Sequence, residues 1–344
     1  MDVIAIMNTI RDNASATYQA RIPELTRTNL EDVRYAMIDD DNVMVANEFT
    51  NSLLNKVFKS HLISKRFQNP LKSLKKGKKP LGDTVEEIYV NFIKGAEYDP
   101  DIGAKLLERT LPDVKTVYHR MNYKMKYRQT FSQQALSKAF SSFEALESFF
   151  SSIVAAMYNS ADLDEFMNMK QLLKSALDAN AMKVVEVPDP LLGAEEGKEF
   201  IKSVKTVSSL MVYPSTDWNG YLTAQTTDTT PITTFTRKEE QVLIIDTATD
   251  TSVSVDVLAN TFNMTVAEFN DTRKIVIDVF PDPKMRAAIV DEQFFQIWDD
   301  LFVFKSFDNP EGLYDNYFLH VWQTLAYSIL VNAVAFCVAD EAAG

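Results

Sequence analysis

The feature that most constrains the fold is a long run of helical apolar spacing that begins after Ser141. Apolar side chains recur at three- and four-residue intervals from Phe143 onward, which is the pattern of one buried stripe on an amphipathic helix. Ser141 and Glu144 match a capping box, in which a hydroxyl and a carboxylate satisfy free backbone N–H groups. A helix that continues to Ala179 is about 58 Å long, and a break near Asn159 is the alternative. Such a length predicts a spine across a domain.

Composition excludes several classes of protein. The 344 residues are 46% hydrophobic and 24% charged, so the chain can build a sizeable core. A net charge of −13 argues against general affinity for nucleic acid or anionic membranes. The single cysteine, Cys337, excludes an internal disulfide and a cysteine-based zinc site. No apolar run reaches the ~20 residues of a membrane span, and the N-terminus lacks the basic start of a secretory signal.

Charge is distributed unevenly along the chain. Nine Lys or Arg and no acid lie between Lys56 and Lys79, whereas residues 186–320 hold ten bases and 23 acids. Chance clustering of surface charge is one explanation. The alternative is that a basic region of one copy meets an acidic region of another, since complementary patches orient association. Because the two regions differ, such a contact would build rings or open arrays.

Two segments predict a long hairpin. Residues 84–93 have the composition of a strand, and a second strand is predicted from Val114 to Phe131. Within the second, Tyr123, Met125 and Tyr127 alternate with basic residues, so one face should be buried and one solvated. Fifteen strand residues span about 50 Å. Because an isolated two-stranded hairpin is marginal in water, this one should lie on another surface.

The remaining segments predict a mixed α+β protein. Residues 1–50 suggest an arm that needs a surface to lie on, and residues 50–66 a short helix. Residues 186–290 are rich in Thr, Ser, Asp and Val, which favours several short strands with small helices. Two aromatic-rich strands then flank an NPEG turn, and the tail VNAVAFCV predicts a buried strand.

Motifs for catalysis are absent from the sequence. There is no phosphate-binding loop, G-x-S-x-G elbow, H-E-x-x-H motif or G-x-G-x-x-G. We therefore predict no enzyme, no cofactor, no metal and no catalytic residue. Paired acids such as Asp299 and Asp300 are expected to lie on a solvated face. Two other functions remain: a nucleic-acid-binding protein that uses residues 56–79, and a carboxylate hydrolase that uses Asp299 and Glu311.

Four segments, in order, resemble the major capsid proteins of phi-29-like short-tailed phages. They read NPLKSLKKGKKPLGDTVEEIY, FEALESFFSSIVAAMYNSADLDEFMNMKQLL, DVLANTFNMTVAEF and NPEGLYDNYFLHVWQTLAYSILVNAVAF. The resemblance implies an α+β protein with the Hong Kong 97-like capsid fold. It also implies four regions: an N-terminal arm and the start of the peripheral domain (1–67), an extended E-loop (68–130), a peripheral domain with the spine helix (131–185 and 290–344), and an axial domain (186–289).

The resemblance further implies a structural role in a phage head. Copies would self-assemble as pentamers and hexamers into an icosahedral-type shell, with a scaffolding protein and a portal as partners and packaged DNA as a non-specific neighbour. The protein would assemble in the host cytoplasm, end in the virion, and contact no membrane. The basic hairpin is expected to reach over a neighbouring subunit and to contact it through eight residues: Lys72, Lys75, Lys76, Lys78, Lys79, Tyr123, Met125 and Tyr127.

Overall fold

A computed structural model of the chain describes residues 3–38, 67–79, 84–95, 109–132, 143–224, 230–253, 273–309, 311–312 and 314–339. The chain divides into two compact units. The first contains residues 1–69, 123–165 and 301–322, and the second contains residues 70–122, 166–300 and 323–344. The helix predicted over 50–66, the cap at Ser141 and the whole DVLANTFNMTVAEF segment lie outside the described residues.

The N-terminal part of the first unit is a group of three short helices. They are α1 (Val3–Asp12), α2 (Ala16–Arg21) and α3 (Leu30–Ile38). The side-chain amide of Asn8 donates to the carbonyl of Leu25 at 3.0 Å and accepts from its backbone N–H at 2.7 Å. Tyr18 and Val33 are fully buried. Local backbone hydrogen bonds and apolar burial thus hold residues 3–38 in short helices, and their role as an N-terminal arm stays a prediction.

The spine helix α4 (Phe143–Asp178) runs for 36 residues without interruption. The predicted spine is confirmed, and the alternative of a break near Asn159 is wrong. Three strands that lie wholly or partly in the first unit follow the order β9 (Phe295–Asn309), β10 (Tyr314–Tyr327) and β4 (Tyr123–Ser132). One cluster joins buried side chains of α4 to alternate side chains of β10: Met157, Tyr158, Ala161, Tyr317, Leu319 and Val321. Period-two alternation therefore gives this sheet one face toward the spine.

In the second unit, β2 (Thr84–Val90) and β3 (Val114–Arg120) form an antiparallel two-stranded sheet, here called the ribbon. The single strand predicted from Val114 to Phe131 is wrong, since it is interrupted after β3. The amide of Asn122 donates to the carbonyl of Leu325 and accepts from its N–H, both at 2.8 Å. These bonds end the ribbon, and the following strand, β4, belongs to a different sheet.

The core of the second unit is a five-stranded sheet. Its strands are β5 (Lys183–Val187), β6 (Gln241–Asp246), β7 (Arg273–Ile277), β8 (Met285–Asp291) and β11 (Ala333–Val338), in the order β5-β11-β8-β6-β7. β11 is parallel to β5, β6 is parallel to β7, and the other pairings are antiparallel. The C-terminal buried strand is thus confirmed, and it lies among strands from the region predicted to be axial.

One helix covers much of this sheet. Helix α5 (Ala194–Leu210) packs Phe200, Val204 and Val207 against Leu243 and Phe336. The described part of this unit also contains two shorter α-helices, α6 (Tyr221–Ala224) and α7 (Thr247–Ser252). The predicted mixture of short strands and helices over 186–290 is therefore confirmed, although α5 is longer than expected.

Candidate functional site

The basic segment after Asn69 is a short 3-10 helix (Pro70–Leu74) followed by the two-residue strand β1 (Gly77–Lys78), which pairs in parallel with β9. Lys75 contacts Asp299 at 2.8 Å and Lys79 contacts Asp300 at 2.9 Å. Lys72 and Lys78 are exposed. At least two of the five predicted contact lysines thus form ion pairs inside their own subunit.

Lys76 is also engaged within the chain. Its ammonium donates to the carbonyl of Glu292 at 3.0 Å and to the side-chain oxygen of Gln293 at 2.8 Å. Burial lowers the pKa of Lys76 below its ordinary value, and the carboxylates of Glu292 and Asp291 oppose that shift.

The acids that receive these lysines were expected on a solvated face, and that expectation is wrong. The side chains of Asp299 and Asp300 are 25% and 12% exposed. Gln323 donates to Asp299 at 3.0 Å, and the hydroxyl of Thr324 donates to Asp300 at 2.9 Å. Each carboxylate is thus held by one ammonium and one neutral donor. These contacts neutralise the two carboxylates in a structural role, and they do not bring Asp299 and Asp300 together as a catalytic acid and base.

The three β4 residues predicted as contacts, Tyr123, Met125 and Tyr127, differ in how far they are buried. The Tyr127 hydroxyl donates to Asp164 at 2.6 Å and lies 3.2 Å from the Tyr123 hydroxyl, and its ring packs against the spine cluster. Burial raises the pKa of the Tyr127 phenol, and the hydrogen bond to Asp164 raises it further. Met125 is 46% exposed. Of these three predicted contacts, Met125 is therefore the one whose side chain is largely available.

The inner face of the ribbon lies against its own unit. Glu87 and His119 are 2.6 Å apart, and both side chains are mostly buried. The Tyr89 hydroxyl donates to the carbonyl of Thr233. Tyr89 and Val117 also pack against a cluster formed by Tyr221, Ile232 and Leu330. The ribbon is thus attached along one face by apolar burial and hydrogen bonds.

The opposite face of the ribbon is exposed, and it carries four apolar side chains among the polar residues Thr84, Glu86, Thr116 and Arg120. The outer ribbon face is defined by Ile88, Val90, Val114 and Tyr118, whose exposed fractions are 61%, 55%, 46% and 60%. Val90 and Val114 are direct cross-strand partners. Sequence reasoning missed these residues as contacts, although the alternation in TVEEIYV places Ile88 and Val90 on one side of a strand.

Within the described ranges, no cluster of three or more His, Cys, Asp or Glu could hold a metal ion, and no helix is both long and apolar enough to cross a bilayer. In the part of the basic segment that the structure describes, Lys75 and Lys79 are already paired with carboxylates of their own chain.

The sequence profile of the family described as Phi29-like phage major capsid protein matches residues 7–337. The major capsid protein of Bacillus phage PZA is 36% identical over 340 residues, which are 97% of this chain and 73% of that protein. The major capsid protein of Streptococcus phage Cp-1 is 27% identical over 362 aligned positions, covering 98% of this chain and 95% of that protein.

Solved structures show the same fold at low sequence identity. The capsid structure of Staphylococcus phage Andhra aligns with a TM-score of 0.65 at 14% identity, over 81% of this chain and 87% of that chain. The capsid structure of cyanophage P-SCSP1u aligns with a TM-score of 0.55 at 8% identity, over 82% and 91% respectively.

Proposed function

Because the chain belongs to the Phi29-like phage major capsid protein family, we propose that its copies associate through the outer ribbon face. The chain is a structural protein of a phage head shell with the Hong Kong 97-like capsid fold, and it is not an enzyme. The fold and function predicted from the sequence are thus confirmed. Neither the family nor the relatives support the nucleic-acid-binding alternative.

The observation that carries the proposal is that the outer ribbon face leaves four large apolar side chains exposed, whereas the inner face is covered by its own unit. An exposed contiguous apolar patch on a soluble subunit marks an interaction site. Burying the exposed half of each of the four side chains contributes about 1 kcal/mol per residue. The outer ribbon face therefore supplies several kcal/mol per contact, which is repeated at every subunit of a shell.

Of the eight contact residues predicted from the sequence, the geometry favours three as direct contacts between copies. Lys72 and Lys78 have exposed side chains, and Met125 is nearly half exposed. Lys75 and Lys79 act indirectly in this proposal, since their ion pairs fix the segment that leads into the ribbon. An exposed ion pair adds only about 0–1 kcal/mol, so the lysines select a partner rather than drive association.

The four-region division belongs to the same proposal. The ribbon corresponds to the E-loop, α4 to the spine of the peripheral domain, and most of the five-stranded sheet to the axial domain, which would gather at the centres of pentamers and hexamers. A scaffolding protein and a portal are proposed as assembly partners, with packaged DNA as a non-specific neighbour. Assembly is proposed to take place in the host cytoplasm.

The test is a single charge placed on the outer ribbon face. Ile88→Asp puts a carboxylate in a patch that assembly would bury, so shells should be reduced at least about ten-fold while the subunit still folds. Sedimentation and electron microscopy measure the shells, and circular dichroism checks the fold.

Leu192→Asp is the matched control. Leu192 is 76% exposed and lies outside the ribbon, so this variant adds the same charge to another apolar surface residue. Normal assembly of Ile88→Asp would refute the proposed role of the ribbon. Equal loss in both variants would show that added charge alone blocks assembly.

A further inference from the structure

Besides the ribbon of the second unit, the first unit has an exposed surface of its own, on the side of its sheet that faces away from the spine. Tyr127, Phe304 and Tyr317 pack toward α4, so the alternate residues of β4, β9 and β10 point the opposite way. We call this surface the basic–aromatic face and define it by Lys124, Lys126, Arg128, Lys305, Phe318 and Trp322.

The charge on this face is one-sided. Lys124, Lys126 and Arg128 are exposed and occur at every second position of β4, which spaces them about 6.6 Å apart. Lys305 adds a fourth exposed cation from β9. Among the described positions of β4, β9 and β10 that point this way in the first unit, none is an acid. The chain as a whole has a net charge of −13, so this cluster of positive charge has the opposite sign to the protein's net charge.

The aromatic rings hold two of these cations in place. The Lys124 ammonium lies 5.0 Å from the centre of the Trp322 ring, and the Lys126 ammonium lies 5.5 Å from the centre of the Phe318 ring. These distances fall within the range of cation–π attraction. The cations are thus partly pre-organised, which lowers the entropy cost of binding a partner.

We propose that the basic–aromatic face is a contact surface for a second copy of this chain, which presents an acidic and partly apolar surface to it. Aromatic residues and arginine are enriched at protein interfaces. Nucleic acid fits less well, because the lysines occupy the ring faces on which bases would stack and the net negative charge opposes phosphate. This inference rests on the proposed assembly into a shell but concerns a different surface from the ribbon.

The first test reverses the charge of the face. Lys124→Glu, Lys126→Glu and Arg128→Glu combined should lower the yield of shells at least about ten-fold, because like charges across an interface oppose association. Lys124→Arg with Lys126→Arg keeps the charges and should assemble as the parent does. If the reversed variant folds and forms shells with unchanged yield and salt dependence, the proposal is overturned.

The second test uses a variant that should still assemble, and it measures how accessible the basic–aromatic face is. Lys126→Cys introduces a thiol on the face, and the native Cys337 is buried with its pKa raised by that burial to about 11, so it stays silent. Maleimide labelling of the thiol introduced by Lys126→Cys should be at least about ten-fold slower in empty shells than in free subunits. Ile88→Cys is the matched probe for the ribbon.

The labelling rates separate the possible failures. Protection in empty shells, which hold no DNA, supports a protein partner. Full reactivity of Lys126→Cys together with protection of Ile88→Cys overturns this inference and leaves the ribbon proposal intact. Full reactivity in empty shells with protection in DNA-filled shells overturns it in favour of a DNA contact, which steeply salt-dependent binding of duplex DNA by the free subunit would also indicate.

Discussion

The ion pair between Lys79 and Asp300 leads to the most decisive prediction for a single subunit. The two charged groups are 2.9 Å apart, and their side chains are only 5% and 12% exposed. Removing one member of such a pair leaves a nearly buried charge, which costs about 3–5 kcal/mol. We expect Asp300→Asn to destabilise the free subunit by about 3 kcal/mol, and Lys79→Met by slightly less, because Thr324 still donates to the remaining carboxylate.

Urea unfolding of unassembled subunits measures this loss. Lys78→Met is the control, since Lys78 is exposed and is the sequence neighbour of Lys79, and its effect should stay within about 0.5 kcal/mol. The double variant Lys79→Met with Asp300→Asn should be more stable than the sum of the single effects predicts, because the two side chains are coupled. If Lys79→Met lowers the free energy of unfolding no more than Lys78→Met does, the ion pair with Asp300 does not stabilise the subunit. Lys79 would then be a direct contact between copies, as the sequence predicted.

Two further predictions concern the second unit. Gly220→Ala should lower the free energy of unfolding by about 2–3 kcal/mol, and with it the melting temperature, because an added methyl group would overlap the backbone of Ala181. Gly95→Ala is the control and should be neutral, since its added methyl group meets no neighbouring atom. The Arg286 guanidinium hydrogen-bonds Asp189 and holds the pKa of that carboxyl below its ordinary value. This stabilisation is present above the unfolded pKa and is lost as the pH falls through the folded pKa, so Asp189→Asn should be less stable than the parent at pH 7, and the difference should shrink toward pH 3. A difference that is constant with pH would contradict the assigned ion pair.

The helix and strands with strong local patterns could be predicted from the sequence. The stripe that begins at Phe143 is a local signal, because side chains three and four residues apart share a helix face wherever the helix lies. The same holds for the two aromatic strands around the NPEG turn and for the buried C-terminal strand. Their existence did not depend on knowing which element packs against them.

The partners of these elements could not be predicted in the same way. Alternation in Tyr123, Met125 and Tyr127 correctly indicated one covered face, but the same alternation continues across Asn122, where the chain leaves one sheet for another. Period-two patterning gives the face of a strand and carries no information about the strand beside it. The predicted hairpin therefore ran too long, and the exposed face of the ribbon was not identified.

The sequence by itself determined the spine, the strand content, the basic segment and the likeness to a capsid family. Only the tertiary structure decided that Lys75 and Lys79 meet Asp299 and Asp300 within one subunit, and that the ribbon and the sheet beside the spine each keep an uncovered face. The reason is that helical and strand periodicity depend on neighbouring residues. An ion pair between positions more than 200 residues apart depends on how the whole chain is folded.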